Sequence, residues 1–258
     1  MKLVPGMRGT VVVILACTLA AFAGDASGDK PDKKDKAKPA TVQIDSGTFG
    51  VFIKGLRVVT ETFSVQQENG NSSIQSQLKE AAGQSPTDQK SSLEITPTGE
   101  LLRYEWNQGG PTGTSLVVLP KDEFLIEKIT TAASAKPAEQ PFLMPNTSLI
   151  LDNNFFVLRE VLVWRYLHDD CKPEGGGFKC QTEPAEFGVL VPQERTSMRV
   201  RIQLVDKDKI AIHGVERALL RLKLSGESFD WNLWVEDGGQ YKLMRVEIPA
   251  DNTEVIRD

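Results

Sequence analysis

Hydrophobic and polar residues alternate with a period of two through most of this chain, and turn residues interrupt the alternation at short intervals. The pattern opens at 48–54 (TFGVFIK) and continues through 56–68, where Val59, Phe63 and Val65 share one face and Val58, Thr60, Thr62 and Ser64 the other. Asn69-Gly70 follows, a strong hairpin signal, and 72–79 returns with Ile74, Ser76 and Leu78 on one side. The same grammar predicts strands at 92–96, 101–106, 114–119 and 124–130, then at 187–191, 198–205, 210–213, 215–224, 229–236 and 241–248. Turns are predicted at Pro97-Thr98-Gly99, Gly109-Gly110-Pro111, the DKDK run 206–209 and Asp237-Gly238-Gly239. Strands in such number with hairpin-length connections make an antiparallel meander, because parallel strands need helical crossovers that this sequence lacks.

One stretch breaks the rhythm. Residues 152–167 (DNNFFVLREVLVWRYL) begin with an Asp able to cap a helix and carry Phe155, Leu158, Val161, Leu162, Trp164 and Tyr166 in a dense apolar band. The break from Pro141 to Pro145 suits a change of chain direction just before it. An apolar helix between two runs of strands needs a surface to lie on, and a flat sandwich offers none because its inner faces fill each other. The expected fold is therefore mainly β: an antiparallel meander curled into an open half-barrel or barrel, with one main helix packed on the concave side. Phe155, Leu158, Leu162 and Trp164 are expected to face inward, where they either fill the hollow or cover a ligand. Trp231 and Trp234, three apart on a strand, point to opposite faces, one towards the core and one towards the rim.

The chain ends alter this picture by adding an export signal. Lys2 and Arg8 precede an apolar run, 11–22, and Ala21-Phe22-Ala23 places small residues where a leader is cut before Gly24, so 1–23 reads as a signal peptide. Cys17 after Ile14-Leu15-Ala16 resembles a lipidation site, but Leu15 is bulky for that role and the later cut is preferred. Residues 24–40 hold dense charge and no large apolar side chain, and are expected to be a disordered spacer before a single β-rich domain, 41–258. The apolar run falls short of the ~20 residues of a spanning helix, so the mature protein is expected to have no transmembrane span and to be periplasmic or secreted. Loss of Lys2 and Arg8 takes the net charge from -5 to -7, which disfavours nucleic acid as a partner.

Candidate chemistry is sparse. Cys171 and Cys180 flank a Pro/Gly-rich loop (HDDCKPEGGGFKC) and, in an exported protein, read as a disulfide. A metal site using both thiolates with His168, Asp169 or Asp170 matches no standard zinc spacing. No GxSxG, HExxH, Walker A or strand-linked GxGxxG is present, and SxxK at Ser76 to Lys79 lies on a strand, where residues three apart face opposite sides. His168 and His213, like Asp169-Asp170 and the Glu183 and Glu186 pair, suit solvated positions. No catalytic residue, metal ligand or cofactor is assigned.

Taken together, GTFGVFIKGLRVVTETFSV at 47–65, LILDNNFFVLREVLVWRYL at 149–167 and FDWNLWVEDGGQYKLMRVEIPADNTEVIR at 229–257 resemble the periplasmic half-barrel proteins related to the lipoprotein carriers. The resemblance implies non-catalytic binding of a lipid or other apolar ligand in the concave face beneath the helix. The sequence does not reveal the arginine that such carriers set near their cavity, so the resemblance implies a class of ligand and not lipoprotein traffic. The alternative is an interaction or scaffold protein of the envelope, which would show an exposed apolar patch instead of a pocket. A hydrolase would show converging polar groups in a concave site.

Overall fold

The structure, a computed structural model, describes residues 41–80, 88–110, 113–134, 136–175 and 177–258. The signal peptide 1–23 with Cys17, and the spacer 24–40, lie outside the described residues. From the start of the described chain run β1 (Val42–Ile53), β2 (Leu56–Glu68), β3 (Asn71–Glu80), β4 (Gln89–Ile95), β5 (Leu101–Gln108), β6 (Thr114–Lys121), β7 (Phe124–Thr131) and β8 (Ala138–Leu143). After β9 (Leu149–Ile150) come helix α1 (Val157–Asp170) and a small hairpin of β10 (Cys171–Glu174) and β11 (Gly177–Cys180). The chain finishes through β12 (Ala185–Val191), β13 (Thr196–Ile212), β14 (Val215–Ser225), β15 (Asp230–Glu236), β16 (Leu243–Ile248) and β17 (Thr253–Arg257).

Fifteen of these strands form one sheet in the order β8 to β1, then β17 to β12, then β9. From β1 in the middle of the sheet the strands meander to one edge at β8, residues 144–148 lead directly to β9 at the other edge, and after α1 and the β10–β11 hairpin the strands meander back from β12 until β17 pairs with β1. The sheet is mainly antiparallel and does not close: an open half-barrel with one helix on its inner face, as the periodicity predicts. Its one parallel pairing among the described residues, β9 beside β12, departs from a purely antiparallel meander. It arises because α1 and the β10–β11 hairpin lie between β9 and β12, so these neighbours are joined by a crossover and not by a hairpin.

Strict alternation places every second side chain in the hollow. Register carries one inward row across seven strands, from Asp45 through Val65, Ile74, Leu93, Tyr104 and Val118 to Glu127. The next row holds Phe63, Ser76, Ser91, Trp106 and Leu116. Most of these residues join the main core together with Phe155, Leu158, Leu162 and the inward residues of β12 to β17. Residues 155–163 of the helix region are buried without a break, so α1 is surrounded in its first turns and fills the hollow as a plug.

Several local expectations need correction. Helix α1 starts five residues later than the sequence suggested, and Asp152 does not cap it: no side chain at the helix start does. The DKDK run is not a turn, since β13 continues through it with a bulge between Leu204 and Asp206. Four charged side chains mimic turn composition there, but the strand lies in a hairpin where both faces at those positions reach water or ion partners. Pro141 lies inside β8, where an edge strand tolerates the missing N–H. Tyr241 has left-handed φ of 52° and precedes its strand, which begins at Leu243.

The bulge lets the far half of the β13–β14 hairpin fold across the outer face of the sheet. Ile210 and Ile212 pack there with Leu219, Trp234, Met244 and Ile256, forming a second small core. At its tip the His213 Nε2 lies 2.8 Å from the Arg257 carbonyl oxygen. Trp231 and Trp234 do face opposite ways, but the outward one is not a rim residue: Trp234 is buried beneath this hairpin, its Nε1 donating to Asp208 at 3.0 Å.

Candidate functional site

Two charged clusters hold α1 in the hollow. In the first, Glu61 occupies an inward position of β2, where Val59, Phe63 and Val65 dictate an apolar side chain. Its carboxylate accepts the backbone N–H of Phe156 at 2.6 Å, the N–H of Val157 at 3.2 Å and the Ser76 hydroxyl at 2.8 Å. A strand residue therefore satisfies the orphan donors at the start of the helix. Burial lifts its pKa to about 7, against the hydrogen bonds that favour the charged form.

Arg159, fully buried beside it, donates through Nη1 to the carbonyls of Asp152 and, at 2.8 Å, of Phe155. Its guanidinium lies 5.0 Å from the Phe156 ring and 5.1 Å from the Trp231 ring, so aromatic faces meet the side whose Nε and Nη2 have no hydrogen-bond acceptor. Burial lowers its pKa to about 10, while the charges of Asp152 and Glu61 oppose that fall. Asp152 accepts from the Tyr104 hydroxyl, the Gln193 amide and, at 2.7 Å, the Asn154 N–H. Its desolvation pushes the pKa up, and those donors only partly offset it.

The second cluster sits at the seam between β1 and β17. Arg257 donates to both Asp45 oxygens at 2.7 Å and to Glu160 Oε2 at 3.1 Å, and Lys242 approaches Asp45 at 2.9 Å. Glu160 Oε2 also accepts the Leu243 N–H at 2.7 Å, whereas its Oε1 receives no donor. Burial and the facing Asp45 carboxyl raise Glu160 well above the usual range. For Asp45, burial acts upward too, but the hydrogen bonds of Glu160, Arg257 and Lys242 overcome it and hold the pKa below its ordinary value. The two carboxyls are thus pushed apart, Glu160 towards its neutral form and Asp45 towards its charged form.

Glu127 on β7 is a third buried carboxyl. Neither of its oxygens accepts a hydrogen bond, Arg195 approaches no nearer than 3.8 Å, and desolvation raises its pKa to about 7. Among the described residues no three His, Cys, Asp or Glu side chains gather as a cation site.

Beside the plug, a groove of about 240 Å³ opens at the mouth of the half-barrel. Ile95, Pro97, Leu149, Val161 and Trp164 give it mostly apolar walls, while larger recesses lie on polar parts of the surface. Arg165 spans one end, donating to the Thr98 carbonyl and pairing with Asp169. Gly99 next to it has a left-handed φ of 78°, which favours glycine over residues with a Cβ. The groove is smaller than the ~300 Å³ at which drug-sized sites begin, so it suits one slender chain.

The residues predicted to meet a ligand separate. Phe155, Leu158 and Leu162 are at most 2% exposed and belong to the packed core. Trp164 is half-buried: it packs against the edge of the core, its Nε1 donates to the Gln240 carbonyl at 2.9 Å, and it also lines the groove. Cys171 and Cys180 are disulfide-bonded and directly opposite in the β10–β11 hairpin. Two arginines, Arg159 and Arg257, are buried, and neither lines the groove. A signal for these clusters was present, because Asp45, Glu61, Glu127 and Arg257 each fall in step with apolar inward neighbours on their strands.

Comparison with protein families, with characterised proteins and with solved structures yields no match of any of the three kinds. Among the described residues no helix is long and apolar enough to cross a membrane.

Proposed function

We propose that this protein is exported to the cell envelope and there binds an apolar chain, without catalysis, in the groove between α1 and the mouth of the half-barrel. The observation that carries this reading is the groove itself, an apolar recess held open beside a helix that is clasped in place from below. The expected ligand is the hydrocarbon tail of a lipid, laid along Val161 and Trp164, with the hollow under α1 kept filled by protein.

The reading places binding on the outer flank of the helix and not beneath it, so two substitutions separate the possibilities. Titration with a fluorescent fatty acid is expected to saturate with the wild-type chain and to weaken roughly tenfold, about 1.4 kcal/mol, in Trp164→Ala. Leu158→Ala, on the buried side, is expected to lower stability and leave affinity in place at temperatures where the variant is folded. A wild-type chain that takes up no fatty acid or phospholipid probe sinks the proposal.

A further inference from the structure

The half-barrel stays open because its two edge strands do not meet, and the two edges differ. At one edge, β8 carries Pro141, a residue that blunts pairing. At the other, β9 covers only Val189 and Leu190 of β12, after which the Ser148 N–H to Pro145 carbonyl turn directs the chain away. Ala185 to Gly188 are paired with β13 on one side and carry no proline, lysine or bulge on the other.

The direction of the bare groups follows from one hydrogen bond. The Leu190 carbonyl accepts the Leu151 N–H at 3.0 Å, so Leu190 points its backbone groups away from β13. Because a strand repeats every two residues, the N–H and C=O of Gly188 and Glu186 point the same way. Among the described residues none of these four groups has a partner. They face a recess of about 690 Å³, bounded across the gap by Leu143 and Met144 and floored by Phe187 and Met198. Leu143 is 74% exposed there, while the charge of Glu186 is spent on Arg199 at 3.0 Å and Arg201 at 3.4 Å. The recess therefore offers strand hydrogen bonds and an apolar floor within a polar rim that includes Ser148, Ser197 and Glu227.

We infer that this edge is a docking site for an extended segment of another polypeptide, which adds a strand beside Glu186 and Gly188 in line with β9 and sets alternate apolar side chains against Phe187, Met198 and Leu143. The mode is β-augmentation, in which main-chain hydrogen bonds supply affinity and side-chain pockets supply selectivity. It goes beyond the apolar-chain reading, uses a different part of the molecule, and either can fail alone.

The test pans a displayed library of random dodecapeptides against the full chain. Enriched sequences are expected to alternate apolar with polar residues and to protect the amides of Glu186 and Gly188 from hydrogen exchange. N-methylation of the peptide backbone on its pairing side is expected to weaken binding at least tenfold. Gly188→Pro, which removes one outward N–H and leaves the β13 ladder intact, should do the same. If that variant fails to fold, the N-methyl series on the wild-type chain decides alone. No enrichment, indifference to N-methylation, or protection elsewhere overturns the inference. So does a concentration-dependent dimer that protects these same amides, because it assigns the edge to a second copy of the chain.

Discussion

Glu61 accepts the backbone N–H of Phe156 at 2.6 Å, a contact between residues 95 positions apart that joins the second strand to the start of the helix. Helix starts are commonly satisfied by a neighbouring Ser, Thr, Asp or Asn. Here Phe155 and Phe156 occupy those places because they are needed for packing, and the cap is delivered across the hollow by the sheet.

Removing that cap should loosen the helix more than its exposure would suggest. Glu61→Ala leaves the buried N–H groups of Phe156 and Val157 without an acceptor, and the Ser76 hydroxyl with only the Thr62 carbonyl at 3.4 Å, and is expected to cost roughly 1–3 kcal/mol. Glu61→Gln keeps one acceptor oxygen and should recover part of that loss. Urea denaturation of the three proteins checks the order; equal stability of wild type and Glu61→Ala would exclude the cap.

The raised carboxyls make a signed prediction about pH. Glu61 and Glu127 titrate near 7 when folded against 4.5 when unfolded, so between those values the folded chain binds more protons. Their stabilising contribution is complete below about pH 4.5 and declines as pH rises towards 7, and Glu160, raised further, extends the decline upward. Asp45 acts oppositely, but only below its ordinary value of 3.8. The melting temperature is expected to be lower at pH 8 than at pH 5, with a flatter profile in Glu61→Gln. A profile that rises between those pH values refutes the assignment.

Leu158 lies in a packed hollow, so Leu158→Ala is expected to cost about 2 to 5 kcal/mol. A much smaller cost, measured by denaturation, would indicate an empty space beneath α1.

The disulfide should matter little to the sheet. Cys171 and Cys180 close a loop with a sequence separation of 9 in a hairpin outside the main sheet, and loop-closure entropy for so short a span amounts to roughly 2–3 kcal/mol. Reduction is expected to shift the midpoint of unfolding while leaving the far-ultraviolet circular dichroism of the folded state unchanged.

Much of this fold was legible because alternation is a local property. Phe63 and Val65, or Ile74, Ser76 and Leu78, declare their shared face within a few residues, and Asn69-Gly70 fixes how those strands meet. What stayed hidden depends on partners far away in sequence. Nothing near Glu61 or Asp45 announces Phe156 or Arg257, although a charged residue in step with apolar neighbours marks a place where burial must be compensated. The DKDK run misled for the complementary reason: composition resembles a turn, while the ladder with β14 and the ion pair of Asp208 with Arg221 keep it extended. Trp164 looked inward from its helix position, yet it lies on the flank of α1 that borders the groove, while Tyr166 and Leu167 beyond it are buried in the core.

The pairing of β1 with β17 also governs when the molecule can become itself. Strands β1 to β8 zip through neighbours in sequence and could form as the chain emerges, but the middle of the sheet needs its first and last described strands together. Arg257, which clasps Asp45 and Glu160, lies in that last strand. Until it arrives, two buried carboxyls lack their cation and the plug has no lock at the seam. Completion is thus deferred until β17 has been made, which leaves the preceding strands unlocked and makes this long-range pairing slow for a topological reason.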